Sequence, residues 1–166
     1  MPKVFRMCIL FVFPGFLQAQ APGRILLNGT WDFEQTSTAF PPVKFTRSIQ
    51  VPGLIHLATP KIEAYDAFFR KPLAVEGVDQ HDFRKMDYPP RYSWYRKRIL
   101  IPDTLKGKEA VLTIKKSQYV TQVFINGMDA GTSIACYTPS DFHITPYLKY
   151  GKVNEIFVRV GEGSGF

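Results

Sequence analysis

Hydrophobic and polar residues alternate most cleanly between Tyr92 and Gly131, and the rest of the chain is read outward from that stretch. Trp94 to Ile101 is an aromatic and β-branched run that stops at Pro102. Ala110 to Lys115 alternates, with Ala110, Leu112 and Ile114 on one face and Val111, Thr113 and Lys115 on the other. Tyr119 to Ile125 is a further strand-like run, closed by Asn126-Gly127. A period of two predicts strands packed on one side. Asn-Gly between extended runs predicts a tight hairpin, because both residues accept positive φ. Upstream, Ile25 to Glu34 reads as a strand pair with a turn or bulge at Asn28-Gly29, and Trp31 and Phe33 share its core-facing side. Phe45 to Val51 alternates again and ends at Pro52-Gly53. Residues 60–91 lack a clean period: Ile62 to Arg70 has the composition of a short helix and Asp79 to Lys85 that of a loop. The pattern predicts an all-β fold, a β-sandwich centred on residues 92–131.

The N-terminal end of the chain falls outside this pattern. Lys3 and Arg6 precede an apolar run from Met7 to Leu17, and Leu17-Gln18-Ala19 places a small residue where a signal peptidase would cut. This predicts a signal peptide over 1–19, a linker over 20–24 and the sandwich over 25–166, with a secreted or periplasmic product. The apolar run is shorter than the roughly 20 residues that span a membrane, so no membrane association is expected once it is removed.

Composition sharpens the picture modestly. The 166 residues can bury one real core, and a hydrophobic fraction of 45% excludes a disordered chain. Thirteen prolines and twelve glycines suit many short strands and turns. The net charge of +7 is scattered and carries no nucleic-acid-binding motif, so nucleic acid is not an expected partner. Of the two cysteines, Cys8 falls in the signal, and Cys136 reads as a buried or half-buried small apolar residue. His56, His81 and His143 are widely spaced and form no ligand pair, so neither a metal nor another cofactor is expected. Asn28-Gly29-Thr30 has the form of a glycosylation sequon.

Several runs of residues resemble the N-terminal sugar-binding (galactose-binding-like) domain of glycoside hydrolase family 2, which contains β-galactosidases, β-glucuronidases and β-mannosidases. They are the opening Leu27-Asn28-Gly29-Thr30-Trp31, the Trp94-Tyr95-Arg96 strand ending in Ile101-Pro102, and Val123 to Gly131. The most specific is Tyr137-Thr138-Pro139 followed by Asp141-Phe142, Ile144, Tyr147-Leu148, Gly151, Asn154 and Val158-Arg159-Val160. His143 stands where the family usually has Asp, which removes a local hydrogen bond of the pattern. The resemblance runs from about Leu26 to Val160 and is loosest over residues 60–91. It implies a jelly-roll sandwich whose last strand would lie beyond Phe166.

The resemblance also sets the functional expectations. In the family, the loop before the Trp-Tyr-Arg strand approaches the active-site mouth, and it corresponds here to Met86 to Arg91. Some family β-galactosidases have a sugar-contacting asparagine there, and this loop has none. Asp87, Tyr88 and Arg91 are the candidate substrate-binding residues, since a ring can cover a sugar's apolar face while charged groups bond its hydroxyls. An ordinary exposed turn is the plainer reading of the same three residues. No catalytic residue is assigned. Asn154-Glu155 imitates the family's acid/base dipeptide, but that dipeptide belongs to a (β/α)₈ barrel of about 250 residues, for which this chain has no room. The expected role is a non-catalytic accessory domain of a secreted glycosidase, with carbohydrate and the missing barrel as partners. A free-standing carbohydrate-binding module and a structural sandwich without sugar affinity stay open as alternatives.

Overall fold

A computed structural model describes residues 23–62, 92–118 and 120–161. Within them the chain forms eight strands: β1 (Gly29–Thr36), β2 (Arg47–Val51), β3 (Tyr92–Ile101), β4 (Val111–Ile114), β5 (Val120–Ile125), β6 (Met128–Ser133), β7 (Ser140–His143) and β8 (Lys152–Gly161). Among the described residues the helical elements are short 3₁₀ turns, at Ile55–Leu57, Asp103–Leu105 and Thr145–Tyr147. All strand pairs are antiparallel. Six strands make one sheet in the order β2-β1-β3-β8-β5-β6, and β4 and β7 make a second. This is the expected all-β sandwich.

Register explains the core. Phe33 lies opposite Tyr95, Tyr95 opposite Val158 and Val158 opposite Val123, so one apolar row crosses β1, β3, β8 and β5. Ile156 lies opposite Ile125 in a neighbouring row, and Trp31 opposite Ile49. Leu112 and Phe142, opposite each other on β4 and β7, close the layer from the second sheet, and Ile144 joins them just beyond β7. Full burial of one such side chain stabilises the fold by about 1.5–3 kcal/mol. Phe33, Val123, Ile125 and Ile156 are wholly buried.

The Asn126-Gly127 turn is the expected two-residue hairpin: Ile125 pairs with Met128, and φ is 53° at Asn126 and 83° at Gly127. Asn154, also wholly buried, secures the same end of the sheet. Its Oδ1 accepts from Asn126 Nδ2 (2.8 Å) and the Lys149 N–H (2.8 Å), and its Nδ2 donates to the carbonyls of Lys149 (2.7 Å) and Lys152 (3.0 Å). That uses the full bonding capacity of a primary amide. The residue is a structural tie of the β8 entry turn, and Glu155 beside it faces the opposite side of the sheet.

Three expectations need correcting. Ile25 to Glu34 is not a strand pair: β1 is a single strand, and Asn28-Gly29 leads into it, with Gly29 at φ 107°. The described residues before it, 23–28, form no strand; the Leu27 carbonyl accepts from Trp31 Nε1 at 2.7 Å. The strand read from Phe45 starts at Arg47, because Phe45 turns its ring onto Phe157. Cys136 is exposed, not buried, because the β6–β7 connection runs over the surface. The signal segment 1–19, most of the linker 20–24 and nearly all of 60–91 lie outside the described residues.

Candidate functional site

Alternation gives the six-stranded sheet a second face, directed away from the core. β3 places Trp94, Arg96 and Arg98 there, and β8 places Glu155, Phe157 and Arg159 opposite them. The pairs are Trp94 with Arg159, Arg96 with Phe157 and Arg98 with Glu155. β5 adds Phe124, opposite Phe157. Trp94 packs on Phe124 (centroids 5.8 Å apart) and, edge to face, on Phe157 (6.5 Å). Although it lies on the outer face, Trp94 is 0% exposed.

The connection between β1 and β2 supplies part of the cover. Phe45 packs on Phe157 at 5.9 Å, and the Arg96 guanidinium lies 4.3 Å from the Phe45 ring centroid. Arg159 Nη1 donates to the Ala39 carbonyl (2.8 Å), while its guanidinium faces Tyr92 (4.8 Å) and Trp94 (5.8 Å). Trp94 Nε1 donates to Thr36 Oγ1 at 3.0 Å. Arginine fits these places because its planar head stacks on rings while its edges donate hydrogen bonds.

Three carboxylates on this face, Asp32, Glu34 and Glu155, are tied to cations. Arg96 Nη2 lies 2.7 Å from Asp32 Oδ2, and its Nη1 lies 3.9 Å from Glu155 Oε1. Glu155 Oε1 also accepts from Arg98 Nε at 3.0 Å. A guanidinium therefore stands between Asp32 and Glu155, where a glycosidase would hold its substrate's scissile bond between two carboxyls. Glu34 accepts from the Thr46 hydroxyl, from the Thr46 N–H (3.0 Å) and from Arg47 Nη1 (2.5 Å). Burial alone pushes the Glu34 carboxyl up. The bonds from Thr46 and Gln35 and the Arg47 charge outweigh it, and the group sits below the ordinary value of 4.5.

The sequence-predicted residues Asp87, Tyr88 and Arg91 lie outside the described residues, so the structure neither joins nor separates them. His143 and Glu109 meet at 3.1 Å on an exposed surface, which gives His143 a partner where the resemblance had lost one. Among the described residues there is no group of three His, Cys, Asp or Glu placed to hold a metal. The outer aromatic–arginine face was not singled out from the sequence. Its signal was present in the even positions of β3, Tyr92, Trp94, Arg96 and Arg98, once Ser93, Tyr95 and Ile99 are assigned inward.

Comparison with known proteins places this arrangement. No family model matches the chain. A β-galactosidase of Thermoanaerobacter pseudethanolicus is 37% identical over 91 residues, covering 54% of this chain and 12% of the relative. A β-glucuronidase of Formosa agariphila is 35% identical over 72 residues, covering 43% of this chain and 7% of the relative. Its homologues are glycoside hydrolase family 2 enzymes. A β-galactosidase of Clostridium acetobutylicum aligns more widely, at 28% identity over 87% of this chain and 17% of its own length. Among solved structures, the β-glucuronidase of Dictyoglomus thermophilum superposes with a TM-score of 0.56 at 20% identity, over 81% of this chain and 19% of that one. At that identity the likeness shows the sandwich fold. The chain spans a small part of the length of every family 2 relative named here.

Proposed function

We propose that the chain is a non-catalytic accessory domain of an exported glycoside hydrolase family 2 enzyme, which packs against a catalytic barrel and helps shape its substrate cleft. The observation that carries this reading is the asymmetry of coverage: 81–87% of the chain aligns with 17–24% of much longer β-galactosidases. The relatives' names, β-galactosidase and β-glucuronidase, make a β-linked galactoside or glucuronide the expected substrate class of the parent enzyme. Carbohydrate and the barrel are then the partners. The ties that hold Asp32, Glu34 and Glu155 support a structural rather than a proton-transferring role for these acids. The basic and then apolar segment before Ala19 supports export to the periplasm or beyond.

The test is to read the coding sequence past Phe166 and to assay both the encoded full chain and residues 1–166 on aryl β-galactosides and aryl β-glucuronides. Hydrolysis by the full chain alone is the expected result. Turnover by residues 1–166, or a frame that encodes no barrel, overturns the reading.

A further inference from the structure

The connection between β6 and β7, residues 134–139, holds one residue in an unfavourable conformation. Tyr137 has φ 60°, in the left-handed region where a bulky L residue is disfavoured and glycine is at ease. The Tyr137 N–H donates to the Ser117 carbonyl at 2.8 Å and pins the connection to the segment that follows β4. Burial does not account for the strain. Tyr137 is 56% exposed and Ile134, three residues earlier, 78%. The conformation instead turns an aromatic face outward beneath a cation: Lys116 Nζ lies 5.0 Å from the ring centroid. Lys115 is exposed beside it. A strained aromatic held at the surface is a place to look for function.

We propose that Tyr137 and Lys116 form a surface subsite for a uronate residue of an acidic glycan. The ring would take the apolar C–H face of the pyranose, and the Lys116 ammonium would leave the ring to pair with the carboxylate. A ring alone would accept any pyranose, and the adjoining ammonium selects the charged one. An open surface suffices for a polymer, which gains affinity by repeating weak contacts along its length. The net charge, +7 for the whole chain and +5 without Lys3 and Arg6 of the expected signal, favours encounter with a polyanion. This inference rests on the carbohydrate-enzyme reading above, and adds to it a ligand class and a place.

The test is titration of the chain with a hyaluronan octasaccharide, which bears glucuronate, and with neutral β-1,4-galactotetraose. Wild-type protein should bind hyaluronan more tightly. Tyr137→Gly should weaken hyaluronan binding by about tenfold or more. The same variant should melt no lower than wild type, because glycine accepts φ 60° without strain. Lys116→Gln should weaken hyaluronan binding by about fivefold and leave galactotetraose binding unchanged. Absence of hyaluronan binding by wild type overturns the proposal. So does hyaluronan binding that survives Tyr137→Gly, which would show only the attraction of a basic protein for any polyanion. Neither failure touches the hydrolysis assay of the full coding frame, so the two readings fall separately.

Discussion

The six-stranded sheet has two faces that hold together by different physics. The inner face is closed by aliphatic and aromatic packing, with Phe33, Val123, Ile125 and Ile156 free of solvent. On the outer face, rings and guanidiniums share the surface, with Arg96 between Phe45 and Asp32, and Arg159 between the Tyr92 and Trp94 rings and the Ala39 carbonyl. The packing of the inner face gives salt and pH little to act on, because its wholly buried residues carry no charge. The outer face gains from charge, and its strength depends on what keeps those charges ionised and shielded. A sheet covered on one side by two strands and on the other in part by a loop thus relies on arginine where aliphatic packing runs out.

The contrast can be broken by substitution. The largest effect is expected from Phe33→Ala, which should cost about 3–5 kcal/mol in denaturant unfolding, against about 1–2 kcal/mol for Phe124→Ala on the half-buried outer face. Equal losses would mean that the outer face is core in all but position. Next comes Asn154→Leu. It takes the acceptor from one Asn126 Nδ2–H and from the Lys149 N–H, and the donor from the carbonyls of Lys149 and Lys152, and should cost about 3 kcal/mol or more by thermal or chemical unfolding. A neutral result would show that water replaces these partners.

Smaller effects sharpen the outer face itself. A double-mutant cycle on Arg96 and Phe45, using Arg96→Gln and Phe45→Leu, should give a coupling of about 0.5–1 kcal/mol. Zero coupling would leave their 4.3 Å contact without energetic content. The smallest effect belongs to Glu34. Its folded-state carboxyl lies below its ordinary 4.5, so its contribution is present above that value and fades as pH falls through the lower, folded value. Glu34→Gln should therefore flatten the stability profile on the acid side of 4.5 and lower stability slightly at neutral pH. An unchanged acid slope would remove Glu34 from the set of linked groups.

How far the fold was legible depends on whether a local pattern had a partner. Both Asn-Gly pairs carry the same hairpin signal, and only Asn126-Gly127 joins two strands. Around it, Val120–Ile125 and Met128–Ser133 pair with each other, whereas residues 23–27, the described ones before Asn28, form no strand. The inner face followed from period two. The outer face hid in the same alternation, because arginine between aromatics reads as an ordinary solvated strand until the loop that covers it is placed. Asp87, Tyr88 and Arg91 came from resemblance rather than from spacing, and they fall outside the described residues. Tyr137 entered only as part of the Tyr137-Thr138-Pro139 resemblance, and its left-handed φ had no signal, because that follows from the path of the loop and not from the residue type.

The bonding of Asn126 also bears on how the protein ages. Asn-Gly is the dipeptide most prone to cyclise and shed ammonia, a reaction in which the glycine nitrogen attacks the asparagine side-chain carbonyl carbon. At Asn126 the side chain is held by the Tyr147 carbonyl (2.8 Å), by Asn154 Oδ1 (2.8 Å) and by the Glu155 N–H (3.1 Å), and turning it toward Gly127 would break all three bonds. Asn28, exposed ahead of β1, has the same neighbour in sequence. The hairpin that ties the sheet together is thus the better preserved of the two against slow chemical decay, and the first isoaspartate in stored protein should form at Asn28.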